Sequence, residues 1–223
     1  MVDEYLDERE QAQQLMQWFK ENWLWLATGI ALGLGGLYGW QAWNAHLDAR
    51  SREAGERFAE MLQAFEKADR ERGNELAGQI TSEDGSTPYA DQTDLVLARV
   101  HAEAGELDQA AFRLKKVLEG SKDAELALVA RLRLARVQLA QGSHDAALAT
   151  LDGATAPAVA ATVAELRGDV LLAKGDKAAA LAAYRQAQEE AGPEAPAGLV
   201  EPELLQLKID DLSAAATGAG AGS

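Results

Sequence analysis

Gly105, Gly142 and Gly175 stand 37 and 33 residues apart, and the same residue types recur around each at fixed offsets. Seven residues before each glycine is a small residue (Ala98, Ala135, Gly168), and five after it is an alanine (Ala110, Ala147, Ala180). Nine after it comes a large apolar residue (Leu114, Leu151, Tyr184); eight before it stand Leu97 and Leu134, with Arg167 as the exception. Small residues on two successive helices let them cross closely, and a large one fills the groove to the next pair. Glycine suits the tight turn between them because it tolerates backbone conformations that a Cβ opposes. Val, Ile and Thr are scattered while Ala, Leu and Glu are abundant, so the chain reads as all-α.

The spacing is close to the period of about 34 residues that marks tetratricopeptide repeats. The repeat Trp and terminal Pro are missing, so the pairs resemble degenerate repeats. The expected repeat domain covers 91–212 and closes with a capping helix from Pro202 to Leu212, where Pro202 suits a first-turn position. Residues 213–223 carry almost nothing to bury and read as a disordered tail. Before the repeats, an amphipathic helix is expected from Asn44 to about Arg72, ending near Gly73, within a helical linker region 44–80. The stretch from Thr81 to Pro88 reads as a loop. In such arrays the first helices line a concave face, which places Arg99 and Arg136 at one offset with Asp169 in the third repeat. Leu95 and Leu132 sit one turn earlier. Stacked arginines beside leucines suit a segment carrying a carboxylate, so these five residues are the candidate partner-binding set.

The N-terminal third has a different character. From Trp23 to Trp43 no residue is charged. As a helix this run spans roughly 32 Å, against a hydrocarbon core of about 30 Å. Trp18, Trp23 and Trp25 mark one end and Tyr38, Trp40 and Trp43 the other, in the manner of an aromatic belt. The expectation is a single transmembrane helix over 23–43, after a tail over 1–22. A cleaved signal peptide fits less well, because the preceding segment is long and acidic and no small-x-small site follows. Gly29, Gly33 and Gly36 form a stripe suited to packing against another membrane helix. Arg9 and Lys20 precede the run and Arg50, Arg52 and Arg57 follow it, so flanking charge does not favour an inside N-terminus.

The net charge of −15 opposes nucleic-acid binding, which needs a basic face to displace counterions. The chain contains no cysteine, which removes disulfides, thiolate metal sites and thiol nucleophiles, and which suits an oxidising compartment. His46, His101 and His144 are far apart, with no spacing that pairs them as metal ligands. No nucleophile elbow, zinc-protease motif or phosphate loop occurs, so neither an enzyme activity nor a cofactor is expected.

The segments KENWLWLATGIALGLGGLYGWQAWNAH (Lys20 to His46), LARVQLAQGSHDAALATLDG (Leu134 to Gly153) and LRGDVLLAKGDKAAALAAY (Leu166 to Tyr184) together resemble the YfgM family of ancillary subunits of the bacterial SecYEG translocon. The resemblance implies a single-pass protein of the bacterial inner membrane, with its N-terminus cytoplasmic and its repeats periplasmic. It implies association with the translocon and with a membrane-anchored periplasmic chaperone of the prolyl-isomerase-like class, and a part in handing over secreted proteins. The competing expectation is an envelope tether or regulator that sequesters a stress-response factor through its repeats.

Overall fold

The computed structural model describes residues 2–83, 85, 87–191 and 200–220, with side chains described between 13 and 214 of these. The chain divides into two compact units, Met1–Glu53 and Ala54–Ser223. Among the described residues every regular element is helical: α1 (Val2–Glu66), α2 (Arg70–Glu83), α3 (Pro88–Glu103), α4 (Leu107–Gly120), α5 (Ala124–Ala140) and α6 (His144–Asp152). A 3-10 turn (Pro157–Val159), α7 (Ala160–Ala173), α8 (Lys177–Ala191) and α9 (Pro202–Gly220) complete the order.

The first unit contains the N-terminal part of α1. The side chains of Trp18, Trp23, Trp25, Ile30, Leu32, Leu37, Trp40 and Trp43 are all at least half exposed. A Cβ placed on Gly29, Gly33 or Gly36 would meet nothing within 4 Å, so the glycine stripe lies open. Among the described residues no helix is long and apolar enough to cross a membrane by mean hydropathy. Five glycines and four tryptophans within the uncharged run, which add little to that mean, hold it down.

The second unit is built from helix pairs whose turns share one hydrogen-bond pattern. At Gly105, Gly142 and Gly175 the backbone is left-handed, with φ of 76°, 72° and 88°. In each turn the glycine N–H donates to the carbonyl three residues back (Ala102, Leu139, Leu172), at 2.9–3.0 Å. The following N–H donates to the carbonyl five back (His101, Gln138, Leu171), at 2.8–3.0 Å. These bonds satisfy the last carbonyls of α3, α5 and α7 and reverse the chain into α4, α6 and α8.

A fourth turn has the same geometry without glycine. Ala68 has φ of 60°, its N–H donates to the Phe65 carbonyl at 3.0 Å, and the Asp69 N–H donates to the Ala64 carbonyl at 2.9 Å. Ala68 lies 37 residues before Gly105, the same interval that separates Gly105 from Gly142. The end of α1 and α2 therefore form a first helix pair where the sequence suggested a linker. Met61, Leu76, Ala77 and Ile80 pack into one core with Leu97 of α3. Gly73, expected to end a helix, lies inside α2. A Cβ there would come within 2.6 Å of the Phe65 ring, so this glycine serves close packing.

Packing follows the repeated offsets. Ala110, Ala147 and Ala180 are wholly buried at the crossings, and Leu114, Leu151 and Tyr184 fill the grooves beside them. The third pair exchanges sizes: Tyr184 is the largest fully buried side chain among the described residues, and its ring would lie 2.4 Å from a Cβ on Gly168. α5 opens on Asp123, whose carboxylate accepts from the Glu125 and Leu126 N–H groups at 2.8 and 3.1 Å. α9 closes the array by placing Leu205, Ile209 and Leu212 on Tyr184 and Ala187. It continues to Gly220, past Leu212, through an alanine run of high helix propensity. Residues 221–223 of the expected tail lie outside the described residues.

Candidate functional site

α3 and α5 are the first helices of successive pairs and lie side by side. Of the five residues singled out from sequence, the two leucines point inward. Leu95 is 6% exposed in the core formed with α4, and Leu132 is 8% exposed in the core formed with α6 and α7. Both hold the array together, and of the set Arg99 and Arg136 are the two exposed side chains. Arg99 is exposed and sits 3.8 Å from Glu103, one turn along α3, an ion pair of little strength at that distance and exposure.

Between α3 and α5 is a cleft of about 300 Å³, floored by Ala98, Ala102, Leu114 and Val137. Three guanidinium groups rim it: Arg99 from α3, with Arg133 and Arg136 from α5. Neither Arg133 nor Arg136 makes an ion pair among the described residues. Burial lowers the pKa of Arg133 below the usual arginine value, and repulsion from Arg99 and Arg136 lowers it further. Arg133 was not among the sequence candidates, because the first repeat has Val96 at its offset and the residue does not recur.

Arg99 also faces a second groove of about 480 Å³, lined with Phe65, Ala68, Arg70 and Val100 and bordered by the carboxylates Glu66 and Glu103. Arg70 there is engaged with Glu106 at 3.4 Å. One side of Arg99 thus carries unpaired positive charge and the other carries carboxylates.

Asp169 does not join this groove. It accepts from the Tyr184 hydroxyl at 2.7 Å and from Lys208 Nζ at 2.8 Å, while Glu165 takes Lys208 at 2.7 Å. These bonds tie α9 to α7 and α8. A comparable internal tie is Asp94, 2% exposed, which receives Arg113 at 2.9 Å and Lys116 at 2.8 Å across α3 and α4. Among the described residues no group of three or more His, Asp or Glu side chains is arranged to hold a metal ion. What the cleft can do chemically is hold an anion beside an apolar group.

The tetratricopeptide repeat-like domain family matches residues 16–214. The chain is 36% identical over 209 residues to an ancillary SecYEG translocon subunit of Escherichia coli (strain K12), covering 94% of this chain and 98% of that protein. It is 30% identical over 212 residues to the subunit of the same name from Neisseria gonorrhoeae, covering 93% and 98%. The corresponding figures for Aggregatibacter actinomycetemcomitans are 29% over 207 residues, covering 93% and 98%.

Proposed function

Because the chain belongs to the family of ancillary SecYEG translocon subunits, built on a tetratricopeptide repeat-like domain, we propose that it is a membrane-anchored periplasmic adaptor of the Sec translocon. The observation that carries this reading is the extent of the likeness, which takes in the uncharged run and the repeats together. The helix over 23–43 crosses the bacterial inner membrane once, with residues 1–22 in the cytoplasm and the repeats in the periplasm. Its support is the absence of charge from Trp23 to Trp43, the aromatic residues at both ends, and apolar side chains exposed along it. Gly29, Gly33 and Gly36 offer a close-packing face to another membrane helix. The anchor raises the local concentration of the repeats near the translocon exit. The array docks a membrane-anchored prolyl-isomerase-like chaperone through the Arg99 and Arg136 face, and in this way assists the hand-over of secreted proteins. No step is catalytic, and no cofactor is needed.

The test is an affinity pull-down of the tagged full-length protein from detergent-solubilised membranes, read by mass spectrometry. Translocon subunits together with a periplasmic chaperone are the expected recovery. A stress-response factor recovered in their place would favour the tether reading. Topology has its own measurement, since the chain has no cysteine. A single Ser82→Cys is expected to react with a membrane-impermeant maleimide in cells with a permeabilised outer membrane, and Gln13→Cys only after the inner membrane is broken. The reverse pattern would overturn the assigned orientation.

A further inference from the structure

Three like-charged guanidinium groups gathered around an apolar floor are unfavourable in the free protein, and in a chain of net charge −15 they are a local reversal of sign. Arg99 and Arg136 both oppose the charge on Arg133, and an anion placed among the three relieves that repulsion. Elsewhere in the second unit the buried Asp94 is matched by Arg113 and Lys116 and the partly buried Asp169 by Lys208, whereas Arg133 and Arg136, both exposed at the rim, make no ion pair among the described residues. In this cleft three cations border apolar surface, and the one carboxylate paired with them is Glu103, 3.8 Å from Arg99.

We propose that the cleft between α3 and α5 receives an acidic peptide segment, which seats one aliphatic side chain on Ala98, Ala102, Leu114 and Val137 and one carboxylate among Arg99, Arg133 and Arg136. The volume of about 300 Å³ admits side chains of an extended or helical segment and is too small for a folded surface. The adjoining groove sets a direction. Glu66 and Glu103 border it, so a second carboxylate is disfavoured there and a neutral or basic residue is preferred. The occupant is therefore polar along its length, with its acidic end over α5 and its basic or neutral end toward the Ala68 turn. An extended polyanion such as a nucleic acid fits poorly, since it meets carboxylates as soon as it leaves the cleft. The inference rests on the adaptor reading for its place in the cell, while the chemistry of the ligand rests on the cleft alone.

The experiment is isothermal titration calorimetry on the full-length protein in neutral detergent micelles. The probe is a blocked peptide, acetyl-Lys-Gly-Ala-Leu-Ala-Glu-amide. Three controls replace Glu by Gln, replace Leu by Ala, or reverse the order. The parent peptide is expected to bind, and to weaken as salt rises. The Glu-to-Gln peptide should bind about tenfold more weakly, as should the parent to an Arg133→Gln/Arg136→Gln protein. An Arg133→Lys/Arg136→Lys protein should recover part of the loss. Unfolding midpoints by circular dichroism verify that each variant is folded.

Lack of parent binding at about 1 mM, or equal binding by the Gln peptide or by the Gln variant, overturns the proposal. Capture of phosphatidylglycerol vesicles by the same arginines, without peptide binding, overturns it in favour of a lipid surface. The adaptor reading is judged separately. Wild-type protein that recovers the translocon but binds no peptide sinks the cleft alone, and peptide binding without translocon recovery sinks only the adaptor.

Discussion

At Ala68 the chain takes a left-handed backbone that its Cβ resists, in a turn whose three counterparts all use glycine. An L-residue there costs roughly 1–2 kcal/mol relative to a right-handed position, and glycine removes most of that cost. Ala68→Gly is therefore expected to stabilise the protein by about 0.5–1 kcal/mol in urea unfolding. Gly142→Ala should destabilise by about 1 kcal/mol under the same conditions, although nothing lies within 4 Å of its missing Cβ. Gly168→Ala acts by a different mechanism. Its backbone is helical, but the new Cβ would meet the Tyr184 ring at 2.4 Å, so a loss of about 1–3 kcal/mol is expected from overpacking. Trimming that ring should reduce the loss: in a Tyr184→Leu background, Gly168→Ala is expected to cost less than it does alone. An equal cost in both backgrounds would remove the packing explanation.

Among the elements, α9 combines an apolar face with a charged anchor at Lys208. Lys208 reaches Glu165 and Asp169 at 2.7 and 2.8 Å, and Tyr184 donates to the same Asp169. Burial alone would lower the Lys208 pKa, but the hydrogen bonds to Asp169 and Glu165 more than offset it, and the net shift is upward. Burial and the bond to Asp169 raise Tyr184 as well. Both groups hold their protons more tightly folded than unfolded, so their stabilisation is fully present below the unfolded values of 10.0 and 10.5. It is lost as pH rises through the folded pKa values. Unfolding midpoints measured from pH 8 upward should fall beyond about pH 10, and less steeply in Lys208→Met. At neutral pH that substitution should cost about 1.5–3 kcal/mol, because it leaves two carboxylates without their cation. Hydrogen exchange in α9 should accelerate more than in α3 or α4, since an array is stabilised mainly by neighbouring pairs.

Three helix pairs are legible in the sequence because their turns require glycine and their crossings require small residues. The first pair is not, because Ala68 fills the turn without a glycine to mark it, while Gly73 imitates a helix end and in fact makes room for Phe65. Offsets located Arg99 and Arg136 on adjacent first helices. They did not reveal that Leu95 and Leu132, a turn away, face the cores, since an array buries its first helices on more than one side. Arg133 was invisible to any search for recurrence.

At the scale of the whole molecule, the two compact units differ in the kind of surface they offer. Ala54–Ser223 buries its large apolar side chains pair by pair, whereas in Met1–Glu53 the aromatic and aliphatic side chains described from Leu15 to Trp43 are predominantly exposed. All five tryptophans fall between Trp18 and Trp43, and none lies in the repeats, whose phenols are Tyr89 and Tyr184. The protein therefore carries an intrinsic emission reporter confined to its first unit. Tryptophan emission senses the surroundings of the N-terminal helix alone, whereas unfolding of the repeat array is followed by circular dichroism. In lipid vesicles, brominated acyl chains should quench the emission while leaving the unfolding curve of the repeats unchanged. Urea that melts the array should leave the indole spectrum where it was, so insertion and folding can be timed independently in one unlabelled sample.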